Sequence, residues 1–371
     1  MKRRKVAWFL TLLCTVTLLT GCWDDRPVEE RGMVLMLGIS PNAHHGVTLY
    51  FEVPTASGLT SLTSGGSSGS GSGPKFIVYR GQGDNFSDAF TNAQGKTNED
   101  IYLGQLQVIA LSTRLSPRAF TVIDATLARL GPMDKSADAV AVSGSMAKFM
   151  AFSPVGTSLP GLYLASLFAC RHCQTAHLAR TVWSREKRLW SPTTSVWVPL
   201  ITTNATTFIV DRIVVYHGYQ PTIILTPHQT RTLGFLLGIT AKAPLTVPMS
   251  VGIISLRAVR AHPHFRTMPE SGGKVLIHLT VSLSATLDGV PPNVTITTPL
   301  LHELEAKADT LLSHRMLKIL LMLQKKDSNP LGFGRSYVWF HQDFTTWPTL
   351  YRQATIAVTA RIHVHQLGDL Q

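Results

Sequence analysis

The sequence is poor in charge and in cysteine: only 15% of its residues are Asp, Glu, Lys or Arg, 22 are acidic, and four are Cys. The basic residues form no run with interleaved aromatics, which excludes a recognisable RNA- or DNA-binding module. One Cys-x-x-Cys occurs without a second pair, so a structural zinc site lacks half of its usual ligands. No apolar stretch reaches the ~20 residues that a helix needs to cross a bilayer. Outside a glycine/serine run there is no Gly-x-Ser-x-Gly elbow, and there is no His-Glu-x-x-His and no Walker loop. These absences weigh towards a binding role over turnover, and no cofactor is expected.

What is present begins at the first residues. Lys2-Arg3-Arg4-Lys5 is a basic cluster, and the 14 residues Val6 to Leu19 that follow carry no charge. A basic n-region and an apolar h-region of this length read as an exported leader, with Sec as the route, better than as a permanent span. The leader ends in Leu19-Thr20-Gly21-Cys22, the lipobox pattern. A thiolate is nucleophilic enough to take a diacylglyceryl group as a thioether, after which cleavage between Gly21 and Cys22 frees the new N-terminus. Signal peptide 1–21, cleavage at Gly21/Cys22 and lipidation of Cys22 are therefore expected. A single acyl chain holds a protein on a membrane only marginally, so the added chains make attachment lasting. Asp24-Asp25 lies too near this tether to serve as a catalytic acid pair.

Loss of the leader lowers the formal net charge from +12 to +8. A basic body tethered to a membrane is drawn towards anionic headgroups within a Debye length, which explains the charge without nucleic acid. At 371 residues the chain is long enough for two or three domains. An N-terminal domain, 22–200, is expected to alternate strands and helices around an exposed Gly/Ser loop at 64–73. Strand signals lie at Met33–Ile39, Val47–Val53, Phe76–Tyr79, Leu106–Leu111 and Ala137–Val142. Helical spacing appears at Pro117–Leu130, Met146–Phe152 and Gly161–His177.

After a Pro/Thr/Trp-rich stretch, Trp190–Pro199, the texture changes, and a boundary is placed near 201–206. Beyond it a C-terminal domain, 205–371, is richer in strands, with a further division considered near 245–270. Val275 to Thr286 alternates apolar and polar residues, the pattern of a strand with one buried face. A long helix from Leu301 to Gln324 follows, with Leu301, Leu304, Ala308, Leu311, Met316, Ile319 and Leu323 on its apolar stripe. A strand at Ile356–Val364 closes the chain. The expected fold class is α+β, a multi-domain body with mixed sheets and packed helices, ending strand, long helix, strand.

Candidate sites are few. Cys170 and Cys173, with His172 and His177 nearby, offer an inert or disulfide-bonded pair, a metal site or a redox pair, and the βαβ context of a redox site is missing. His262 with His264, and His363 with His365, put two imidazoles on one face of an extended segment. No third ligand lies near in sequence, so solvated strand-face histidines are the preferred reading and no metal is expected. Gly332-Phe333-Gly334 lacks the spacing of a dinucleotide loop and reads as an aromatic anchor between flexible hinges. The sequons at Asn85, Asn204 and Asn293 carry meaning only in a glycosylating cell.

Three segments resemble one family. "GCWDDRPVEERGMVLMLGIS" is similar to the opening of the Ger(x)C spore-germination lipoproteins, and "IYLGQLQVIALS" after the Gly/Ser loop fits their N-terminal domain. "LLSHRMLKILLMLQKKDSNPLGFGRSYVW" resembles their long helix followed by Asp-x-x-x-x-Gly-Phe-Gly, and "ATIAVTARIHVHQLG" their closing strand. The cysteine pair and the histidine pairs are not recognised features of that family. The resemblance implies the lipoprotein subunit of a nutrient germinant receptor, on the outer face of the spore inner membrane. It also implies integral-membrane receptor subunits as partners and acylated Cys22 in the lipid. A solute-binding lipoprotein of a transporter is the alternative, and it would need two similarly wound halves around a cleft. A thiol or metal enzyme built on Cys170, His172, Cys173 and His177 is the third reading.

Overall fold

The computed structural model describes residues 30–63, 73–131, 133–170, 193–239, 243–341 and 345–366. Their strands are β1 Arg31–Met33, β2 Met36–Pro41, β3 Val47–Pro54, β4 Phe76–Gly83, β5 Asp100–Tyr102, β6 Val108–Ser112 and β7 Asp138–Val142. There follow β8 Val196–Thr203, β9 Phe208–His217, β10 Gln220–Ile224, β11 Ala243–Met249, β12 Gly252–Glu270, β13 Lys274–Gly289 and β14 Thr355–Gln366. The helices are α1 Ala56–Thr63, α2 Phe86–Gln94, α3 Pro117–Arg129, α4 Met146–Met150 and α5 Pro160–Ala169. The later ones are α6 Pro227–Leu237, α7 Thr298–Gln324, α8 Gly334–His341 and α9 Trp347–Gln353. The fold is mixed α+β, as expected.

An eight-stranded sheet has the order β10-β9-β8-β7-β6-β2-β3-β4, a four-stranded sheet the order β11-β12-β13-β14, and β1 pairs with β5 in a small third sheet. Successive residues of the large sheet enter opposite cores, as the two-residue strand period requires. Ile109 and Leu111 of β6 pack with Phe120, Ile123 and Leu127 of α3, whereas Val108 and Ala110 pack with Phe149 of α4 and Leu164 of α5. Both faces are covered, which is why β2, β3 and β6 are almost continuously apolar.

The helices start where their caps dictate. Ser116 caps α3 ahead of Pro117, and Thr226 with Gln229 forms a capping box on α6, which ends at Gly238 in the left-handed conformation. The alternation read in the sequence is that of β13, where Val275, Ile277, Leu279, Val281, Leu283 and Ala285 are buried. On α7 the buried stripe is Leu304, Ala308, Leu312, Met316, Ile319, Leu320 and Leu323. Leu312 replaces the expected Leu311, because a spacing of four keeps the stripe in line with Leu304 and Ala308.

The structure adds detail to three sequence readings. Within Trp190–Pro199, β8 begins at Val196 and Trp197 is fully buried. β7 reaches only Leu200 and Ile201 of β8, leaving Pro199 where a missing donor costs least. The boundary near 201–206 falls in the turn between β8 and β9, antiparallel neighbours in one sheet, and the change of sheet comes later, between β10 and β11. Finally, the division considered near 245–270 meets no break: β12 runs unbroken from Gly252 to Glu270.

A bulge at Asp211 in β9 explains how the two sheets meet. Leu200 pairs with Arg212 and Ile201 with Val210, so one residue is extra and the parity of β9 reverses. Phe208 and Val210 thus pack with α4 and α5, while Ile213 and Val215, with Trp197, join the core of the C-terminal sheet. The two sheets share one hydrophobic core at this end.

The outer edge of β14 is closed by a helix. The backbone N–H groups of Ala360, Ile362 and Val364 donate to Ser313 Oγ (2.8 Å), Asp309 Oδ1 (2.6 Å) and Glu305 Oε1 (2.9 Å) of α7. Four residues of helix advance ~6 Å and two of strand ~6.6 Å, so a polar residue at every fourth helical position meets every second strand N–H. Unpaired edges invite association, and these side chains occupy this one. Burial raises the Asp309 carboxyl above its ordinary range while the Ile362 N–H opposes the shift. Asp309→Ala is expected to destabilise the protein by about 1–2 kcal/mol and to speed amide exchange at Ile362 selectively. Unchanged exchange at Ile362 would refute this account of the edge.

Candidate functional site

The most densely bonded part of the structure is Asp327-Ser328-Asn329-Pro330-Leu331-Gly332-Phe333-Gly334, which follows α7. It is buried where the two sheets share their core. The Asn329 side chain takes its Nδ2 to the Thr193 carbonyl at 2.8 Å, and its Oδ1 accepts from the N–H groups of Gly332 (3.0 Å) and Phe333 (3.2 Å). Its backbone N–H donates to Ser195 Oγ at 2.7 Å, and its carbonyl accepts from the Ser195 N–H at 2.8 Å. Residues 130 positions apart are thereby joined as if by a short ladder.

Ser328, fully buried, bonds to Thr222 Oγ1 at 2.7 Å, and its carbonyl accepts from Tyr351 Oη at 2.9 Å. Asp327 takes a positive φ, its carbonyl lies 2.7 Å from His217 Nδ1, and its carboxylate pairs with Arg352 at 2.6 Å. Gln324 Nε2 donates to the carbonyls of Tyr351 and Ala354. The segment therefore ties β8, the β9–β10 hairpin, the end of α7 and α9 into one unit.

Phe333 is the expected anchor. It is fully buried, edge-on to Phe265 at 4.9 Å and beside Tyr351 at 6.4 Å. Its flanking glycines are not hinges, which corrects that part of the sequence reading. Gly332 has a φ of +74°, and a Cβ there would lie 2.8 Å from Thr194 Oγ1. Gly334 opens α8, and a Cβ on it would overlap the indole of Trp347. Both are held in place by close packing.

The remaining sequence candidates do not converge. Gly21 and Cys22 lie outside the described residues, as do His172, Cys173 and His177. Cys170 follows α5 and is disulfide-bonded. His262 and His264 are exposed on the outward face of β12. His363 and His365 are exposed on β14 with their rings 5.1 Å apart, and His363 Nδ1 lies 3.5 Å from Glu305. Among the described residues no three His, Cys, Asp or Glu side chains are grouped to hold a metal ion. Asn85 caps α2, Asn204 accepts from the N–H groups of Thr206 and Thr207, and Asn293 holds a positive φ.

One titratable group escaped the sequence reading. Glu52 of β3 is fully buried, and the Gly161 N–H at the start of α5 donates to both carboxylate oxygens, at 3.0 and 3.1 Å. Gly161 permits this approach because a Cβ there would crowd Met36 and Leu35 at about 3 Å. Burial pushes the Glu52 carboxyl up to about 7, against the smaller opposing effect of the Gly161 N–H. The alternation of β3 gave no sign of it, since Glu52 sits within an otherwise apolar strand.

A raised carboxyl pKa means that the folded chain holds its proton where the unfolded chain has released it. Stability is therefore highest below the unfolded value of 4.5, falls as the pH rises to about 7, and then levels. The expected loss across that window is roughly 3 kcal/mol from this group. Glu52→Gln should flatten the pH dependence of thermal unfolding between pH 5 and 7, and equal slopes in both proteins would contradict the assignment.

Comparison with known proteins places this architecture. The family model described as "Spore germination protein N-terminal domain" matches residues 24–203, and the model described as "Spore germination B3/GerAC like, C-terminal" matches residues 213–368. Spore germination protein KC of Bacillus subtilis (strain 168) is 24% identical over 113 residues, which cover 30% of this chain and 27% of that protein. The crystal structure of the GerBC protein superposes with a TM-score of 0.53 at 14% identity, over 88% of this chain and 96% of that one. At that identity the likeness establishes the fold. With family models matching both of its halves, the chain belongs to the GerAC-like spore germination proteins and has a role in spore germination.

Proposed function

We propose that this chain is the lipoprotein subunit of a nutrient germinant receptor. Acylated Cys22 holds it on the outer face of the spore inner membrane, and its folded surface docks on integral-membrane subunits. The observation that carries this reading is adjacency. The lipobox Leu19-Thr20-Gly21-Cys22 ends two residues before the family match begins at residue 24. No helix among the described residues is long and apolar enough to cross a membrane, so in this reading attachment falls to the lipid.

The fold suits a docking role. Two sheets that share a core and are bonded through Asn329 make a stiff body, and a tether raises its effective concentration beside membrane partners. The protein performs no turnover in this account. The solute-binding alternative is less well supported, because the eight-stranded and four-stranded sheets are not two similar halves around a cleft.

Detergent extraction of spore membranes tests the proposal. An affinity-tagged chain is expected to co-purify with integral-membrane receptor subunits, and its deletion to delay germination on the matching nutrient. A chain that purifies alone, with germination unchanged on every nutrient, would overturn it.

A further inference from the structure

The outward face of the four-stranded sheet is not explained by anything above. β12 turns Arg257, Arg260, His262, His264 and Arg266 to solvent, β13 adds Lys274 and His278, and β14 adds Arg361, His363 and His365. The register sets them in rows: Arg260 opposite Ser284 and His363, His262 opposite Ser282 and Arg361, Arg266 opposite His278. With strands ~4.8 Å apart and same-face residues ~6.7 Å apart, this is a close-set array of Arg, Lys and His side chains.

Its carboxylates lie at the rims. Asp288 is taken by Arg257, Glu270 stands opposite Lys274 at the β12–β13 turn, and Glu305 and Asp309 of α7 stand beside His363 and Arg361 at the β14 edge. Arg260 and Arg266 form no ion pair with any described residue. Two large apolar side chains flank the array on the same face: Ile253, 65% exposed, near the β11–β12 turn, and Met268, 40% exposed, near the β12–β13 turn.

We infer that this sheet face is a second membrane-contact surface, which rests directly on an anionic phospholipid bilayer. A strand surface carrying Arg260, Arg266 and Arg361, none in an ion pair with a described residue, between two exposed apolar side chains matches an interface of anionic headgroups over hydrocarbon. The inference extends the proposed membrane location, since a tethered chain meets such a surface at high effective concentration. The tether limits separation of the body from the bilayer, and the cationic face orients it.

The test separates this contact from the tether. The chain from residue 22 onwards, carrying Cys22→Ser and therefore no lipid, retains every described residue and the core that the two sheets share. It is mixed with vesicles of phosphatidylcholine alone, or with about 30 mol% phosphatidylglycerol, and sedimented at low and high salt. Binding is expected to the anionic vesicles only, and to fall steeply with salt.

Arg260→Gln, Arg266→Gln and Arg361→Gln together should weaken it at least about tenfold, whereas the three Arg→Lys changes should preserve it. Arg118→Gln with Arg212→Gln, on the eight-stranded part of the molecule, serves as the control and should have no effect. Equal binding to neutral vesicles, or an undiminished triple variant, would overturn the inference. So would capture by polyglutamate but not by anionic vesicles, which would mark a site for an acidic polypeptide. Failure of the tether has a different signature: acyl label absent from Cys22, with binding of the unlipidated chain to anionic vesicles intact.

Discussion

Asn329→Ala is expected to destabilise the protein by about 3–5 kcal/mol, as much as truncation of a large buried apolar side chain. The residue is 4% exposed, and its side chain joins the segment leading into β8 to the one that follows α7. Alanine removes the acceptor of the Gly332 and Phe333 N–H groups and the donor to the Thr193 carbonyl. A buried donor that loses its acceptor costs about 1–3 kcal/mol, and two are affected here. Ser195→Ala removes only the acceptor of the Asn329 N–H and should cost about 1–2 kcal/mol.

Because the junction couples the sheets, the loss should also change cooperativity. Urea unfolding monitored by far-UV circular dichroism is expected to show one transition in the parent and a broadened or split one in Asn329→Ala. A single transition shifted by less than about 0.5 kcal/mol would show that the segment contributes little to holding the sheets together.

Cys22→Ser is expected to produce an effect of a different kind: transfer of the protein from the membrane fraction to the soluble fraction, and germination as slow as in a deletion strain. Each buried methylene contributes about 0.8 kcal/mol, so removal of the acyl chains abolishes the largest attractive contribution to attachment. Labelled fatty acid should enter the parent and not the variant. Any material that stays behind should wash off at high salt, because it would be held only by the cationic sheet face. Full membrane retention in high salt, together with normal germination, would end the lipoprotein reading.

Local patterns carried much of the architecture. The proposed leader is readable because charge, an apolar run of limited length and a cysteine follow one another within two dozen residues. β13 is legible because a half-buried strand alternates, and α7 because Leu304, Ala308, Met316 and Leu323 recur at helical spacing. The same method missed β8, where Trp, Pro and Thr conceal a strand buried by partners from both sheets. Nor does His262-Pro263-His264 look like the middle of the nineteen-residue strand β12.

The order of residues suffices to mark strands and helices wherever one face meets water, since burial then leaves a period of two or of about 3.6. It also shows a cysteine at the end of an uncharged apolar run. Only the tertiary structure decided what depends on partners far apart in the chain. It brought Asn329 against Thr193 and Ser195, Glu52 beneath Gly161, and Glu305, Asp309 and Ser313 against the edge of β14. It likewise gathered Arg260, Arg266, His278 and Arg361 on one face. Hydrogen bonds and cation arrays act through space, and no local periodicity records which distant residues will complete them.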